Sequence, residues 1–370
     1  MSKEEDQVLS VRNLLQGRIF RGELPAGARI DETALRRETG ATVRAVRGAL
    51  KELSANGILK RKQRQGTFVA LRLPANIVSV LPALTSVAVL TSLNQDVVGQ
   101  SLFTCDILDG IASRLAPPAN VAIVANPPGR SFCVSELPPF ELPTLQQSVQ
   151  GVIGLEANNA TVLNDLVRDG LPVVAIDYWQ QRAQFDVLHV DHDEAGYLAT
   201  EHLLALGHRV IGFIGESPNS KSTDPTWQAR LAGYMRAMVA GGDPSFPHWI
   251  LGVQRDATLV PSRLPEFHSA FRPTAYVLCG GTLYHATVKV LNDMNLRCPE
   301  DISLSCADNA VPHLGRDATS HSQADFLDVG RMAVRMLASR LVSRAMPPVK
   351  VTIPVTFIPG CTSARFRSSL

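Results

Sequence analysis

Residues 42–54 most constrain what this chain can fold into, because they predict one helix with two different faces. Apolar residues recur there at helical spacing and predict a stripe that packs on a core: Val43, Val46, Ala49, Leu50 and Leu53. Arg44, Arg47 and Lys51 share the opposite face. Taken alone, this basic face is more typical of a solvated charged surface than of a binding surface.

The residues after this helix change that interpretation. Residues 56–57 predict a turn, and residues 58–62 and 66–70 predict two short strands on either side of Arg64. Such a hairpin can act as a wing beside a helix in a DNA groove, where guanidinium groups reach phosphates or guanine edges. Helix and hairpin together therefore favour double-stranded DNA as a partner.

Residues 17–69 resemble the winged helix-turn-helix head of GntR-type transcription regulators. The matching residues lie in the turn, both helices and the hairpin: Gly22, Pro25, Gly27, Ile30, Glu32, Leu35, Thr42, Val46, Arg47, Ala49, Leu50, Gly66, Thr67, Phe68 and Val69. Val43 and Gly48 stand where the family has arginine and glutamate, and Thr33 replaces a frequent arginine. The resemblance implies six residues that contact operator DNA, with Arg44 replacing the arginine absent at position 43: Thr42, Arg44, Arg47, Lys51, Arg64 and Gly66.

The charge distribution supports a division between this head and a different body. Residues 1–72 contain 15 Lys and Arg against 8 Asp and Glu, whereas the rest of the chain contains 21 against 26. A basic head on a mildly acidic body indicates nucleic acid at one end only. Residues 73–84 include two prolines and predict a linker. The expected domains are therefore the head over 1–72, the linker over 73–84 and the body over 85–370.

Composition and motifs disfavour other classes of protein. The chain has no 18-residue apolar run free of charges and prolines, and its first residues are too polar for a signal peptide, so we expect a cytoplasmic protein without a membrane segment. Its six cysteines show neither disulfide nor zinc spacing. Residues 189–194 resemble a metal cluster but suit a strand end and a first helical turn. Residues 215–219 lack the second glycine of a nucleophile elbow. We therefore expect no metal, no cofactor and no enzymatic activity.

Beyond residue 85, short β-branched runs alternate with amphipathic helical patterns. Strands are predicted at 87–91, 121–125, 151–155, 172–176, 210–214, 276–279 and 303–307. Helices are predicted at 102–115, 161–169, 195–206, 229–240 and 284–294. This alternation predicts βαβ units with parallel sheets, which makes the body an α/β structure.

Four segments of the body resemble the effector-binding domain of LacI/GalR-type repressors, which is similar to periplasmic sugar-binding proteins. They are GLPVVAIDY at 170–178, HVDHDEAGYLATEHLLALGHRVIGFIG at 189–215, RLAGY at 230–234 and PEDISLSCAD at 299–308. A GntR-type head on such a body resembles the arabinose-responsive repressors. The resemblance implies two parallel-sheet αβ lobes joined by three crossing strands, with a small molecule bound at the carboxyl ends of the strands.

The resemblance also implies which side chains border that ligand. Arg230 and Asp308 match polar ligand contacts, and Asp177 with Tyr178 matches the first crossing between the lobes. Residues 318–330 resemble the last crossing. The alternative for each residue is a salt bridge or a core position. Trp227 is added because its aromatic ring, three residues before Arg230, can stack on a sugar or base. The expected ligand-binding residues are therefore Tyr178, Trp227, Arg230 and Asp308.

Gly280 and Gly281 depart from the family, which usually has an Asn-Asp pair after this strand. The departure predicts a ligand larger than a free pentose, or one read chiefly from the side of Arg230 and Asp308. In both cases Trp227 or Tyr284 is a candidate to fill the vacated space. The alternative is that the two glycines only loosen a strand-to-helix turn.

These features predict a ligand-responsive transcription regulator, with repression as the expected activity. A homodimer would bind operator DNA and release it when a small molecule such as a sugar binds the body. The alternatives are an activator or corepressor-dependent regulator, and, from a different class, a sugar-processing enzyme or transport-linked sugar-binding protein with a DNA-binding head.

Overall fold

The computed structural model describes residues 3–20, 24, 27–62, 66–70, 83–95, 98, 102–126, 145, 148–157, 159–180, 183–217, 224–241, 246–253, 256–309, 319–342 and 347–366. Arg64 and most of the predicted linker lie outside these residues. The domain boundaries at residues 72 and 84 therefore stay predictions.

The head consists of helices closed by a two-stranded hairpin. Its elements are α1 (Lys3–Phe20), α2 (Glu32–Thr39), α3 (Val43–Ala55), β1 (Leu59–Lys62) and β2 (Gly66–Val69). The carboxylate of Asp31 and the hydroxyl of Thr42 accept backbone N–H bonds at the starts of α2 and α3. Gly40, with φ +64°, ends α2 in the left-handed region that glycine adopts without strain. These three residues fix the turn between the two helices.

The core of the head includes apolar residues from α1 and α3. Its buried members include Val11, Leu15, Ile19, Ala45, Val46, Ala49, Leu50 and Leu53. The predicted stripe on α3 was wrong at Val43, which is 39% exposed, while Ala45 is buried instead. Helical side chains lean toward the N-terminus, so the side chain of the first helical residue projects past the end of the helix.

The first lobe of the body is a parallel sheet with helices. Its elements are β3 (Ser86–Asn94), α4 (Leu102–Ala112), β4 (Asn120–Asn126), β5 (Val152–Leu155), α5 (Ala160–Arg168), β6 (Val173–Ile176) and β7 (Asp186–Val190). Two later elements join it, namely α10 (Phe326–Val342) and β13 (Lys350–Ile353). The strand order is β13-β7-β6-β5-β3-β4, and each described pair is parallel.

The second lobe repeats this architecture. Its helices are α6 (His192–Ala205), α7 (Pro225–Ala240), α8 (Val260–Phe271) and α9 (Tyr284–Asp293). Its strands are β8 (Ile211–Gly215), β9 (Ile250–Gly252), β10 (Ala275–Leu278), β11 (Ser303–Cys306), β12 (His321–Gln323) and β14 (Thr356–Ile358). The order is β14-β12-β11-β10-β8-β9, with β14 antiparallel to β12. The predicted α/β class, with a helical head and two parallel-sheet lobes, is confirmed.

The chain crosses between the lobes three times in the described residues: at Asp191 between β7 and α6, at 324–325 between β12 and α10, and at 354–355 between β13 and β14. Three crossings were expected, but the assignment of Asp177 and Tyr178 to the first was wrong. Both follow β6 inside the first lobe, because β7 still has to join the same sheet. Residues 318–330 contain the second crossing and not the last.

A close contact in the second lobe joins α6 and α7. A Cβ added to Gly196 on α6 would lie 2.0 Å from the backbone oxygen of Arg230 on α7. A Cβ added to Gly233 would lie 1.8 Å from the backbone oxygen of Asp193. The two helices therefore touch backbone to backbone, which brings the first turn of α6 to the side chain of Arg230. No helix among the described residues is long and apolar enough to cross a membrane.

Candidate effector site and DNA interface

A group of polar residues lies where strands of both lobes end. Asp177 follows β6 in the first lobe, and His192 begins α6 after the crossing at Asp191. In the second lobe, Cys279 follows β10 and Asp308 lies two residues beyond β11. Ligands of open α/β sheets bind at the carboxyl ends of the strands, so this edge is the candidate effector site. We call the region around Asp177, His192, Cys279 and Asp308 the cleft.

Arg230 from α7 connects these residues. Its Nη1 donates to the backbone oxygen of Cys279 at 2.8 Å and to Oδ2 of Asp308 at 2.9 Å. Its Nε donates to Nδ1 of His192 at 3.3 Å. Only 6% of the residue is exposed. Burial has the largest single effect and would lower the pKa of this guanidinium, but the carboxylate of Asp308, together with smaller contributions from other nearby acidic groups, holds the pKa above its ordinary value. Arg230 therefore stays charged.

Asp177 extends the same set of contacts into the first lobe. Its Oδ2 lies 3.1 Å from Nε2 of His192, in a bent geometry, and its Oδ1 accepts the backbone N–H of Val190 at 3.0 Å. Burial opposes ionisation, but His192 and the Val190 N–H outweigh it and lower the pKa of Asp177 below its usual value. A polar chain thus runs from Asp177 through His192 and Arg230 to Asp308, from one lobe to the other.

His189 lies next to this chain at the end of β7. Its Nδ1 is 4.0 Å from Oδ1 of Asp177, and its ring packs edge-on against Trp179 with 4.7 Å between centroids. Burial, together with the charge of Lys350, lowers the pKa of His189 to about 4. His189 is therefore neutral at physiological pH.

The structure brings two of the four predicted ligand residues together. Arg230 and Asp308 are in direct contact. Tyr178 is instead buried in the first lobe, where its ring packs edge-on against Phe185 with 4.9 Å between centroids. Trp227 is buried in the core of the second lobe. Both rings are buried in the structure, and their contact with a ligand stays a prediction.

The two glycines after β10 do not enlarge the site on their side. Gly280 has extended backbone and begins a short 3-10 turn, Gly281–Leu283, that leads into α9. A Cβ added to Gly280 would lie 3.0 Å from Cζ2 of Trp227. The indole ring therefore occupies the space that a side chain at position 280 would need.

His192 and its contact with Asp177 were not predicted as part of the site. His192 belongs to the segment 189–194 that resembles a metal cluster, and only its position on α6 beside Arg230 reveals its partner. Asp177 was assigned to a crossing and not to a histidine. The available signal was the sequence Asp-His-Asp-Glu at 191–194. Asp191 caps the helix by accepting the backbone N–H of Glu194, so His192 is not needed for the cap and can contact other residues.

The predicted DNA-binding face of the head is exposed. Arg44, Arg47 and Lys51 are all exposed on α3. Thr42 caps the helix by accepting the backbone N–H of Ala45 at 3.2 Å, so its hydroxyl has a structural partner. Nε of Arg44 lies 2.9 Å from Oε1 of Glu4 on α1. This ion pair within the head was not predicted.

The hairpin adds basic residues that were not individually predicted. Lys60, Arg61 and Lys62 on β1 are exposed, and the ammonium group of Lys62 lies 4.9 Å from the ring centroid of Phe68. Gly66 begins β2 at φ +115°. The position of Arg64 lies outside the described residues, so its DNA contact stays a prediction.

Comparison with known families divides the chain in the same way. Residues 7–69 match the family of bacterial regulatory proteins named gntR, and residues 200–363 match the periplasmic binding protein-like domain. The chain is 31% identical over 192 residues to the HTH-type transcriptional repressor PurR of Escherichia coli O1:K1 / APEC, an alignment that covers 50% of this chain and 53% of that protein. The chain thus spans about half the length of the curated relatives it matches.

Solved structures share the fold. The transcriptional regulator CelR in complex with cellobiose has a TM-score of 0.62 at 19% identity, with 89% of this chain and 94% of that chain covered. A LacI family transcriptional regulator from Enterococcus faecium with bound ribose has a TM-score of 0.61 at 17% identity, with 76% and 100% covered. The head is therefore similar to the gntR family of bacterial regulatory proteins over residues 7–69, and the body is similar to the periplasmic binding protein-like domain over residues 200–363. Both resemblances inferred from the sequence are confirmed.

Proposed function

We propose that this protein is a transcription repressor whose head binds operator DNA and whose body releases that DNA when a small hydroxylated molecule enters the cleft. The observation that carries the proposal is the Arg230–Asp308 pair at the carboxyl edge of the second sheet, connected through His192 to Asp177 in the first lobe. The bound cellobiose and ribose of the two structural neighbours support a sugar-like effector.

The response follows from competition for the polar chain. A ligand that bonds to Arg230 or Asp308 alters contacts that also reach the first lobe, so the bound and free proteins favour different lobe positions. The operator affinity changes by the difference in ligand affinity between these two states. Residues that contact neither DNA nor ligand then affect the ligand response only by changing the balance between these two states.

The DNA-binding part of the proposal rests on α3 and the hairpin. Arg44, Arg47 and Lys51 supply the exposed basic face, and Lys60 and Arg61 extend it onto β1. A homodimer in the cytoplasm would place two such heads on the half-sites of one pseudo-palindromic operator, one helical turn or a multiple of it apart. The relatives named above are transcription regulators, and no catalytic activity is proposed.

The test begins with selection of operator DNA from a random duplex pool by the full chain. Fluorescence anisotropy then measures operator affinity with and without ribose, cellobiose and other neutral sugars. We expect one sugar to lower that affinity and to stabilise the protein by about 2.7 kcal/mol at 100 times its dissociation constant. Rising affinity would indicate corepressor dependence, and consumption of the sugar would indicate an enzyme.

Arg230→Ala tests the cleft assignment within the same assay. We expect operator binding to change by less than about threefold and sugar-induced release to disappear, because Asp308 and Cys279 lose their shared donor. Arg236→Ala is the matched control, since Arg236 lies on the same helix but pairs at the surface with Asp193 and Glu194. Sugar-induced release by Arg230→Ala at the wild-type sugar concentration would contradict the assignment.

A further inference from the structure

The arrangement of donors around Arg230 limits which ligand groups it can bind. We propose that His192 is a specificity-determining residue, which occupies one edge of Arg230 so that the cleft binds a neutral hydroxyl group and rejects a carboxylate. This proposal rests on the cleft being the effector site. It names the chemistry of the effector, which the fold alone leaves open between neutral and anionic molecules.

A guanidinium group has five N–H donors in a fixed plane, and three of those in Arg230 have protein acceptors among the described residues. The Nε–H bonds to Nδ1 of His192, and the two N–H groups of Nη1 bond to the Cys279 oxygen and to Asp308. Among the described residues, no group accepts from Nη2, and this nitrogen is not one of their fully buried unpartnered atoms. Within the described part of the chain, the guanidinium therefore has its Nη2 donors left for a ligand.

A carboxylate needs two parallel N–H donors from a guanidinium to form a bidentate pair. These donors come either end-on from Nη1 and Nη2 or side-on from Nε and Nη2. Cys279 and Asp308 occupy Nη1, and His192 occupies Nε, so neither pair of donors is complete. The negative charge of Asp308, 2.9 Å from Nη1, further opposes an anion.

A hydroxyl group fits the same position because it both accepts and donates. Its oxygen can accept from Nη2 while its hydrogen bonds to Asp308. The Oδ1 atom of Asp308 accepts the backbone N–H of Asn309 at 2.9 Å, which orients the carboxylate, and the side chain remains partly exposed. The Arg230–Asp308 pair thus forms a donor and acceptor set suited to a neutral polyhydroxyl compound.

His192 can hold this role because its buried ring lies between Arg230 and Asp177. Acceptance from Arg230 by Nδ1 requires that the proton of the neutral ring be on Nε2, which faces Asp177 at 3.1 Å. Asp177 is itself held by the Val190 N–H. Rotation of the ring would break both contacts in a buried environment. His192 is therefore a positioning residue for Arg230.

Selectivity between paired ligands tests this role. Thermal shift and operator release are measured with glucose and glucuronate, galactose and galacturonate, and cellobiose and cellobiouronate. The wild type should prefer the neutral member by at least about tenfold. His192→Leu frees Nε and should reduce that ratio about tenfold or more, because a side-on carboxylate pair becomes available. His192→Asn, whose Oδ1 replaces Nδ1 as acceptor, should keep the ratio within about threefold of wild type.

His208→Leu controls for the loss of a buried histidine, since His208 and His192 are both 4% exposed and His208 contacts Thr274, Ser303 and Ala364 instead. The ratio should not move in this variant. The proposal is overturned if His192→Leu keeps the wild-type ratio, if His208→Leu lowers it equally, or if the wild type prefers the uronate.

A ligand-independent measurement separates this proposal from the proposed function. In ¹⁵N-labelled full chain, His192 should carry its proton on Nε2 and show a scalar coupling across the hydrogen bond to Nε of Arg230. Absence of that coupling overturns the positioning role even if a sugar releases DNA. If no sugar or uronate affects the wild type, the effector part of the proposed function fails and the selectivity fails with it, whereas the coupling still decides the position of His192.

Discussion

The DNA-binding face of the head and the cleft of the body hold their charged groups in opposite ways. On α3, Arg44 and Arg47 are exposed, and the partner of Arg44 is an exposed carboxylate. In the cleft, Arg230 is buried and bonded to three groups of the protein. Exposed ion pairs contribute up to about 1 kcal/mol, whereas removal of one partner of a buried pair costs about 3–5 kcal/mol. A single substitution on the exposed face of the head should therefore have a small effect on stability, whereas a substitution in the cleft should disturb all the residues bonded to Arg230.

The largest expected difference between the two regions concerns glycines in helix contacts. Gly196→Ala should destabilise the body by about 3 kcal/mol, because its Cβ would lie 2.0 Å from the backbone oxygen of Arg230 and force α6 and α7 apart. Gly48→Ala in α3 meets only the side chain of Val8, at 3.1 Å. The higher helix propensity of alanine, worth about 1 kcal/mol, offsets that contact.

Urea unfolding of both variants, with operator release as a second readout, checks this difference. Gly196→Ala should also lose the ligand response, since it displaces Arg230. Equal losses of stability in the two variants would show that the close approach of α6 and α7 does not constrain the cleft.

The second prediction concerns pH and the buried histidine at the end of β7. Because the pKa of His189 falls from 6.5 in the unfolded chain to about 4 in the folded one, its neutral form stabilises the fold above pH 6.5. That stability is lost as the pH falls from 6.5 to 4, up to about 3 kcal/mol. The exposed head has no described histidine and should lack this loss.

Thermal unfolding at pH 7 and pH 5, in wild type and His189→Gln, isolates the contribution. The difference between the two proteins is the relevant quantity, because burial also lowers the pKa of His202, His208 and His268. Wild type should lose more stability than the variant on acidification. Parallel losses would mean that His189 is protonated at little cost in the fold.

Much of the architecture could be predicted from local patterns, and the exceptions have physical causes. The periodicity of α3 predicted its buried face, because packing on one side repeats every helical turn. It was wrong at Val43, since an end residue has no neighbour beyond it. The strands β12, β13 and β14 were not predicted, because they lack the continuous buried apolar run of the predicted strands: β12 is His-Ser-Gln, and β13 and β14 include exposed residues. Which sheet each of these strands joins depends on the three crossings between the lobes, which the local sequence does not show.

The site was less predictable than the fold, because its contacts join distant parts of the chain. Arg230 and Asp308 could be assigned by resemblance, and the structure brings them together. The contact between His192 and Arg230 spans 38 residues and depends on the glycines that let α6 and α7 touch. Tyr178 had two equally plausible roles in the sequence, as a pocket residue or a core residue. Its burial against Phe185 agrees with a core position, and its contact with a ligand stays a prediction.

The third prediction separates the two arginines of the DNA-facing helix. Arg47→Ala should weaken operator binding by about 1–3 kcal/mol and reduce the salt dependence by about one unit, as expected for a lost phosphate or base contact. Arg44→Ala should cost less, because the Glu4 ion pair must open before Arg44 reaches DNA. Anisotropy at several salt concentrations measures both effects. Full-strength binding by the double variant would exclude a groove-facing α3.

The smallest expected effect comes from the carboxylate that holds Arg44 in the free head. Glu4→Gln removes a negative charge 2.9 Å from Nε of Arg44, so the guanidinium no longer has to leave an ion pair to contact a phosphate. Operator binding should therefore tighten, by up to about 1 kcal/mol at low salt and less as salt screens the pair. Glu52→Gln is the matched control, because the Glu4 and Glu52 side chains are 46% and 47% exposed and Glu52 pairs with Arg12, which is not predicted to contact DNA. If both variants tighten binding equally, the gain reflects net charge alone. If Glu4→Gln weakens binding, the pair orients Arg44 for DNA, and the exposed face of the head is as preorganised as the buried cleft.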